Sequence, residues 1–374
     1  MTNALAAALR EEIQRNGPIT LARYIEQALA HPTLGYYRSR DPLGAAGDFT
    51  TAPEISQMFG EMIGAWLAVV WQNCGSPAPV RLVELGPGRG TLMSDALRAT
   101  KGVAGFHRSL DLHLVETSEP LRRAQAAALA QSGVSPTWHD SFDSVPDGPL
   151  LLIANEFFDA LPIHQLARGA EGWRERLVTI NEAGEDQFRF VLSPEPPPYD
   201  PPAALREAAL GSLWETAPAA QAVMQSLAAR IAANGGGALV VDYGYRQQSC
   251  GDSLQALRNH QRHDPLADPG TADITAHVDF ASLAASASAA GAAVYGPLDQ
   301  GPFLISLGLA ARAERLRASA LAAQRRDQAT AVATAYKRLI APTEMGSLFK
   351  ALAIVGDSQP APPGFAPAPQ PETP

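Results

Sequence analysis

The chain has 374 residues, 46% of them hydrophobic, so it can bury a large core and form one elaborate domain or two. The formal net charge of −9 argues against nonspecific nucleic-acid binding, which needs a basic face; it fits a cationic partner, although a solvated acidic surface is its commoner meaning. Cys74 and Cys250 are the only cysteines, which excludes a disulfide framework and a cysteine-based zinc cluster and suits a reducing compartment.

The start of the chain carries Glu11 and Glu12 and no basic stretch, so it reads as neither a secretory signal nor a good transit peptide. No run approaches the roughly 18 apolar residues of a membrane span. We therefore expect a cytoplasmic bacterial protein, or a mature organellar one.

Residues 1–78 have apolar side chains at helical spacing and are predicted to be mostly helical, with a loop before a helix from Glu54 to Trp71. From Val80 onward, short apolar runs alternate with helical segments, which is typical of a mainly parallel, doubly wound α/β sheet. The predicted strands are Val80–Leu85, Asp111–Val115, a short strand before Asp140, Leu150–Ala154, Ala238–Val241, Ala292–Leu298 and Leu348–Val355.

Two segments interrupt this alternation. The first, near 165–205, contains a predicted hairpin of Trp173–Ile180 with Phe188–Leu192, followed by a proline-rich connector. The second, near 310–340, is alanine-rich and helical, and either homodimerisation or substrate docking would explain it. Residues 358–374 are rich in proline and alanine and are expected to be disordered.

The turn after the first predicted strand of the sheet is the most informative motif. Glu84-Leu85 leads into Gly86-Pro87-Gly88-Arg89-Gly90 and then a helix, the arrangement with which α/β sheets bind nucleotide-like ligands at their carboxyl edge. A dinucleotide site needs a third glycine where Thr91 stands, and a P-loop is excluded because no Gly-Lys-Ser/Thr follows. Glu84 suits a ligand whose near end is cationic. S-adenosylmethionine, with an ammonium, a sulfonium and no phosphate, is such a ligand, and the glycines would let the backbone approach it.

Polar residues also follow the other predicted strands. Glu116 can accept both ribose hydroxyls, Asp140 can meet the adenine amine, and Asn155-Glu156 lies where a transferable methyl group would be. Each has a plainer interpretation, Glu116 as a surface acid and Asp140 as a turn cap. The ordered set is more specific than its members, and it favours a methyltransferase over a dehydrogenase.

With these residues in view, the chain resembles class I S-adenosylmethionine-dependent methyltransferases. It resembles most closely the MidA family, whose mitochondrial members are complex I assembly factors that methylate a protein arginine. The resemblance spans most of the chain between about 17 and 355, and the segments that carry it are 47–61, 84–90, 155–162, 242–245, 273–280 and 300–303. It implies a Rossmann-like fold, a mainly parallel seven-stranded sheet with helices on both faces, and a protein substrate such as a complex I subunit.

The domain prediction follows from this resemblance. Residues 1–78 are expected to form a helical region with a loop that covers the cofactor, and Asp48 and Thr50 are expected to contact the cofactor from that loop. Residues 79–357 are expected to form the methyltransferase domain, with its two insertions.

An arginine acceptor suggests catalytic residues, because carboxylates can hold a guanidinium bidentately. Glu156 is the best candidate and Asp159 the second, although Asp159 can equally be an acid in the first turn of a helix. His277 can accept a proton or orient the substrate, but a lone histidine is more often structural. The acids Glu54 and Glu61 either face the site or lie on an ordinary helix surface. No metal site is expected, since His260 and His263 lack a third ligand.

Three functions stay open at this point. The first is a protein arginine methyltransferase acting on a complex I subunit or a similar partner. The second is a small-molecule methyltransferase on the same fold. The third is a non-enzymatic assembly factor that keeps a cofactor pocket, against which the intact glycines and Glu84 argue.

Overall fold

The computed structural model of the protein describes residues 3–39, 51–181 and 187–365. Among these residues, no helix combines the length and the apolarity that crossing a membrane requires. The α-helices, in chain order, are α1 (Ala4–Asn16), α2 (Leu21–Ala30), α3 (Tyr36–Ser39), α4 (Ala52–Ile55), α5 (Gln57–Asn73), α6 (Thr91–Thr100), α7 (Phe106–Ser109), α8 (Glu119–Leu129), α9 (Pro218–Asn234), α10 (Phe280–Ala289), α11 (Gln300–Ser306), α12 (Leu309–Ala322), α13 (Arg326–Ile340) and α14 (Met345–Leu348).

The strands follow the predicted pattern and extend it. They are β1 (Ile19–Thr20), β2 (Val80–Leu85), β3 (Leu110–Val115), β4 (Pro136–His139), β5 (Leu150–Asn155), β6 (His164–Gly169), β7 (Gly172–Ile180), β8 (Phe188–Leu192), β9 (Leu213–Thr216), β10 (Gly236–Tyr245), β11 (Gln255–Arg258), β12 (Gln261–His263), β13 (Asp273–Thr275), β14 (Val278–Asp279), β15 (Ala293–Asp299) and β16 (Phe349–Val355).

The chain divides into two compact units, each built from separate stretches of sequence. The first unit comprises Met1–Phe49, Phe158–Ala222 and Tyr245–Ser282, and the second comprises Thr50–Phe157, Val223–Gly244 and Leu283–Pro374. This division differs from the domain boundary at residue 78 that was predicted from the sequence. Helix α5 packs with the second unit, and the insertion near 165–205 packs with the amino-terminal helices.

The second unit contains the parallel sheet. Seven of its strands lie in the order β15-β16-β10-β5-β2-β3-β4. Neighbours from β10 to β4 are parallel, and β16 runs antiparallel to both β10 and β15. Every residue of β5 is buried, as expected for a central parallel strand covered on both faces. The predicted mainly parallel seven-stranded sheet is confirmed.

Helix α5 belongs to the second unit because it packs closely on α6. A Cβ atom on Gly64 would lie 2.6 Å from the carbonyl oxygen of Ala96, so only glycine permits this approach. Trp66 of α5 is 1% exposed and lies in the same hydrophobic core as Leu309 and Leu339, from the two helices of the alanine-rich insertion.

Part of the tail predicted to be disordered is packed in the second unit. Phe365 is 5% exposed and its ring centroid lies 5.1 Å from that of Phe303. The indole nitrogen of Trp66 donates to the carbonyl oxygen of Pro363 at 3.2 Å. The prediction of disorder is therefore wrong for 358–365, because Phe365 gives this proline-rich segment an apolar anchor; residues 366–374 lie outside the described part of the chain.

The first unit is built around a smaller antiparallel sheet in the order β1-β7-β6-β9, with β8 paired to β7. The predicted hairpin of the first insertion is present as β7 and β8. Ile19 of β1 pairs with Val178 of β7, and Tyr24 of α2 shares a core with Val178 and Phe188. A second sheet has the order β12-β11-β13.

Candidate functional site

The glycine turn between β2 and α6 requires its glycines. Gly86, Gly88 and Gly90 have φ angles of 61°, 53° and 83°, in the left-handed region that side chains with a Cβ rarely adopt. Gly90 caps the amino terminus of α6, and a Cβ on it would lie 3.2 Å from Cα of Gln125. The conformation of the turn and its close packing against neighbouring residues therefore both favour glycine at these positions.

Glu84, near the end of β2, is a buried acid with an unused acceptor. Its side chain belongs to a residue only 3% exposed, and Oε2 accepts no hydrogen bond from any residue that the structure describes. Burial raises the pKa of this carboxyl to about 8. A ligand that donates hydrogen bonds or carries positive charge would satisfy this group.

Two further buried polar atoms lack partners at the same edge of the sheet. Strands β5 and β2 pair in parallel, with Glu84 opposite Ile153, so Asn155 and Glu84 end neighbouring strands. Within the described ranges, Oδ1 of Asn155 and Oγ of Ser118 have no hydrogen-bond partner. Since buried polar atoms are normally satisfied, these three atoms indicate a site for a polar ligand. The ammonium and hydroxyl groups of S-adenosylmethionine fit it.

Glu116 directly follows β3 and is held by its neighbours. Its Oε1 accepts the N–H of Ser118 at 2.7 Å, and its Oε2 accepts Nε2 of Gln125 at 3.3 Å. Burial, the largest cause, raises the pKa of Glu116 despite these hydrogen bonds. The carboxylate therefore has a defined orientation at the carboxyl edge, as its proposed role with ribose hydroxyls requires.

Gln125 is the residue that sequence reasoning missed. It is fully buried, and its Nε2 donates both to Glu116 and to the carbonyl oxygen of Gly88, the latter at 2.7 Å. Its Oε1 accepts the indole N–H of Trp138 at 2.8 Å. One amide thus connects the glycine turn, the ribose-side acid and β4. The available signal was a glutamine at helical spacing between Leu121 and Leu129, on the apolar face of α8.

Asp140 is less deeply placed than Glu84 and Glu116. Its side chain is 82% exposed, and it forms an ion pair with Arg122 at 2.7 Å. Its predicted contact with adenine stays a prediction. Asp48 and Thr50, predicted to cover the cofactor, lie outside the described residues.

Glu156 is held in an unusual backbone conformation immediately after β5. Its φ is 50°, and its N–H donates to the carbonyl oxygen of Val241 at 2.9 Å. Its Oε1 accepts the N–H of Ala52 and Nδ2 of Asn155, each at 3.2 Å. A left-handed residue other than glycine costs on the order of 1–3 kcal/mol and persists where surrounding contacts hold it, commonly at functional sites.

The next residue, Phe157, packs over the glycine turn. Its N–H donates to Oδ2 of the buried Asp242 at 3.2 Å, and its ring Cδ2 lies 3.2 Å from where a Cβ on Gly86 would stand. The ring would therefore crowd a side chain at Gly86, and it connects the Asn155-Glu156 segment to the turn.

Asp159 and His277, the other predicted catalytic residues, belong to the first unit. Asp159 is 8% exposed and its carbonyl oxygen accepts the N–H of Ala276 at 3.0 Å. It lies in a turn with no helix after it, so its alternative interpretation as a helix first-turn acid is wrong. The N–H of His277 donates to Oγ of Ser253 at 2.9 Å. Catalytic roles for both residues stay predictions.

Glu54 and Glu61 were expected either to face the site or to lie on an ordinary helix surface. Glu61 does neither. Glu54 accepts Oγ1 of Thr91 at 2.5 Å, beside the glycine turn. Glu61 is 4% exposed and pairs with Arg312 at 2.6 Å and Arg98 at 3.0 Å. Burial by itself raises the pKa of Glu61, but the hydrogen bonds from the two arginines outweigh it and lower the pKa. Glu61 is neither a surface acid nor open to a ligand; it joins α5 to α12 and α6.

Comparison with known proteins decides the family. A family model of S-adenosyl-L-methionine-dependent methyltransferases matches residues 62–298. The chain belongs to this family. The methyltransferase is 37% identical over 369 residues to the mitochondrial protein arginine methyltransferase NDUFAF7 of Homo sapiens, covering 93% of this chain and 82% of that protein. It is 38% identical over 381 residues to the corresponding protein of Drosophila melanogaster, covering 94% and 84%.

A solved structure supports the same conclusion. The methyltransferase matches the crystal structure of a candidate methyl transferase from Burkholderia thailandensis bound to S-adenosyl-homocysteine, with a TM-score of 0.82 and 32% identity over 98% of this chain and 93% of that one. The MidA-like resemblance, the class I methyltransferase fold, the enzyme class and the cofactor S-adenosylmethionine are therefore confirmed.

One prediction is overturned by these relatives. A cytoplasmic bacterial location was expected, but the curated relatives that match most of the chain are named as mitochondrial proteins. The prediction was wrong because it rested on the lack of a targeting signature at the start of the chain. Within the part of the chain that the structure describes, no group of three or more His, Cys, Asp or Glu could hold a metal ion.

Proposed function

We propose that this methyltransferase transfers a methyl group to an arginine of a protein, on a subunit of respiratory complex I or a similar partner. The relatives named protein arginine methyltransferase, at 37–38% identity over more than nine-tenths of the chain, support this acceptor. Because one fold serves many acceptors, the site itself has to account for arginine.

The observation that carries the proposal is the fixed carboxylate of Glu156. Its Oε1 accepts two hydrogen bonds, from Ala52 and Asn155, and its backbone is held left-handed at the carboxyl edge of the sheet. A guanidinium is cationic and planar, so a preoriented carboxylate can hold it and select one nitrogen for attack.

S-adenosylmethionine, when bound, supplies a methyl group on a cationic sulfur. Transfer to arginine would form a carbon–nitrogen bond, break the carbon–sulfur bond and release one proton from the guanidinium. In the proposed site the Glu156 carboxylate would orient the guanidinium nitrogen for attack and would accept that proton. Phe157, packed on the glycine turn, helps to exclude water.

Radiolabelled methyl transfer tests the proposal. The unaltered chain should label arginine in a complex I subunit, identified by hydrolysis of the product to methylarginine. Glu156→Gln, which keeps size and removes charge, should lower kcat by about 100-fold or more while S-adenosylhomocysteine still binds. Glu119→Gln, at an exposed acid of the same unit, is the matched control and should label normally.

The remaining outcomes separate the alternatives. Label found only in a low-mass fraction would favour the small-molecule methyltransferase. No transfer to any acceptor, with S-adenosylhomocysteine bound normally, would favour an assembly factor without catalysis. Equal labelling of arginine by the Glu156→Gln variant would remove Glu156 from the chemistry.

A further inference from the structure

A cavity of about 630 Å³ lies within the first unit, and its lining contains none of the described residues assigned to the cofactor. Its volume falls in the range of about 300–1,000 Å³ that is usual for ligand pockets. Two acidic residues, Glu215 and Asp252, line it together with Tyr245, His263 and His277. Tyr245 and His277 come from two of the segments that carry the family resemblance, 242–245 and 273–280.

The carboxylate of Glu215 is buried and precisely oriented. The residue is 6% exposed. Its Oε1 accepts Nε2 of Gln165 at 2.7 Å and the N–H of Ser253 at 3.0 Å, and its Oε2 accepts the hydroxyl of Ser253. The same Gln165 amide donates to Oδ1 of Asp252 at 2.8 Å, so one side chain orients both acids.

The two acids differ in how their charge is balanced. Asp252 pairs with Arg176 at 3.2 Å. Among the described residues, no Arg, Lys or His forms an ion pair with Glu215, whose hydrogen-bond donors are all neutral. A buried carboxylate without a counter-charge is unfavourable, and a cation that enters the cavity would relieve it. Arg262, the arginine in the cavity lining, is exposed.

The chemistry of the lining distinguishes between cations. A guanidinium is weakly hydrated, donates in a planar fork and stacks on aromatic faces, whereas an ammonium is a compact and strongly hydrated charge. A buried carboxylate in a cavity lined by tyrosine and histidine residues therefore suits a guanidinium better.

We infer that this cavity binds the side chain of an arginine in the acceptor protein and thereby docks the segment that is methylated. The inference rests on the proposed function, and it names a recognition site in the first unit, with Glu215 as the residue that selects the guanidinium. Burial raises the pKa of Glu215, and a bound guanidinium would lower it again. Acceptor binding should therefore strengthen as the pH rises above the usual range of a glutamic acid.

The variant Glu215→Gln tests the inference without emptying the site. Its amide oxygen can still accept from Gln165 and the N–H of Ser253, and its amide nitrogen can donate to the hydroxyl of Ser253. We expect the KM for the acceptor subunit to rise about tenfold or more, with kcat within about twofold and an unchanged Kd for S-adenosylhomocysteine.

Glu175→Gln is the matched control. Glu175 is 7% exposed in the same unit, where it pairs with His164 at 2.6 Å and does not line the cavity. This variant should leave the acceptor KM unchanged.

Acceptor variants identify the occupant. Each arginine of the acceptor segment is replaced in turn by lysine, and the effect of Glu215→Gln is measured again. The arginine that occupies the cavity is the one whose replacement makes Glu215→Gln silent, as in a double-mutant cycle.

The outcomes keep the two proposals apart. If the unaltered chain methylates arginine and Glu215→Gln has the same KM as Glu175→Gln, the cavity inference is overturned and the proposed function stands. If the unaltered chain methylates no arginine, both are overturned. If lysine in place of the arginine that occupies the cavity left the KM for the acceptor unchanged, the selection of a guanidinium would be contradicted.

Discussion

At the scale of single residues, three buried carboxylates, Glu61, Glu84 and Glu215, differ in whether a cationic side chain pairs with them. Glu61 has two arginine partners, and its pKa is lowered. Glu84 and Glu215 have no cationic partner among the described residues, and burial raises the pKa of each. Arginine partners stabilise a structural acid permanently, whereas an acid left without one can gain stabilisation when a cationic ligand binds.

Glu84 should release a proton when the cofactor product binds. Its pKa of about 8 means that it is mostly protonated at pH 7 in the free protein. The ammonium of S-adenosylhomocysteine would lower that pKa, so about one proton should leave on binding. Calorimetric titrations at pH 7 in phosphate and in Tris should give enthalpies that differ by about the difference between the ionisation enthalpies of the two buffers.

The control for this measurement is again Glu119→Gln, which should retain the difference between buffers. Glu84→Gln should abolish the difference and weaken binding roughly tenfold or more, because a charge-assisted hydrogen bond is lost. Identical enthalpies for the unaltered chain in both buffers would contradict the assignment of Glu84 to the ammonium.

At the scale of elements, the glycine turn depends on how the helices behind it pack. Glycines on α5 allow it to approach α6, the helix that begins at the turn: a Cβ on Gly60 would lie 2.7 Å from Cβ of Asp95, and one on Gly64 would meet Ala96. Gln125 on α8 then holds the turn through the carbonyl of Gly88. The position of the turn therefore depends on three helices as well as on its own sequence.

Gly64→Ala should destabilise the methyltransferase although alanine favours helices. The added methyl group would overlap the Ala96 carbonyl, and such overpacking costs about 1–3 kcal/mol, more than the roughly 1 kcal/mol gained in helix propensity. Urea unfolding monitored by tryptophan fluorescence measures the change. Gly102→Ala, at a position where a Cβ meets nothing within 4 Å, is the control and should be close to neutral.

At the scale of the whole molecule, the two units differ in the kind of sheet around which each is built. The first closes antiparallel sheets over the amino-terminal helices, and the second closes helices over a parallel sheet. The alanine-rich helices α12 and α13 contribute Leu309 and Leu339 to the second unit's core. That packing accounts for their apolar residues within the chain itself; the suggested homodimer stays a prediction.

Global stability should fall below about pH 6.5 through a partly buried histidine pair. Nδ1 of His113 lies 3.0 Å from Nε2 of His139, and burial lowers the pKa of both from 6.5. The unfolded chain then binds more protons than the folded one as the pH falls through this range, so the free energy of unfolding decreases. Urea midpoints at pH 7.5 and 5.5 measure the loss.

His113→Gln should make this pH dependence shallower, since one of the two depressed groups is removed. The control is His260→Asn, an exposed histidine with a φ of 59°, a conformation that asparagine tolerates. If the stability of the His113→Gln variant fell as steeply with decreasing pH as that of the unaltered chain, the histidine pair would not govern stability in this pH range.

The sequence alone predicted the features that depend on local pattern. Apolar runs located the strands of the parallel sheet and the hairpin, and the glycines located the turn. Glu84, Glu116 and Asn155 could be assigned to one edge because strands that run parallel all end on the same side. The sheet, the enzyme class and the cofactor could be predicted in this way, whereas the roles assigned to the residues at the strand ends stay predictions.

Only the tertiary structure decided the features that join residues far apart in the chain. Glu61 meets Arg312 across 251 positions, and β1 pairs with β7, so α5 and the first insertion belong to different units than the sequence suggested. Gln125 looked like one polar residue in a helix until its partners were visible. Glu215 carried no motif, because a cavity is formed by segments whose proximity no local pattern records. Spacing along the chain encodes strand ends and turns, but burial and charge balance depend on which distant side chains the fold brings together.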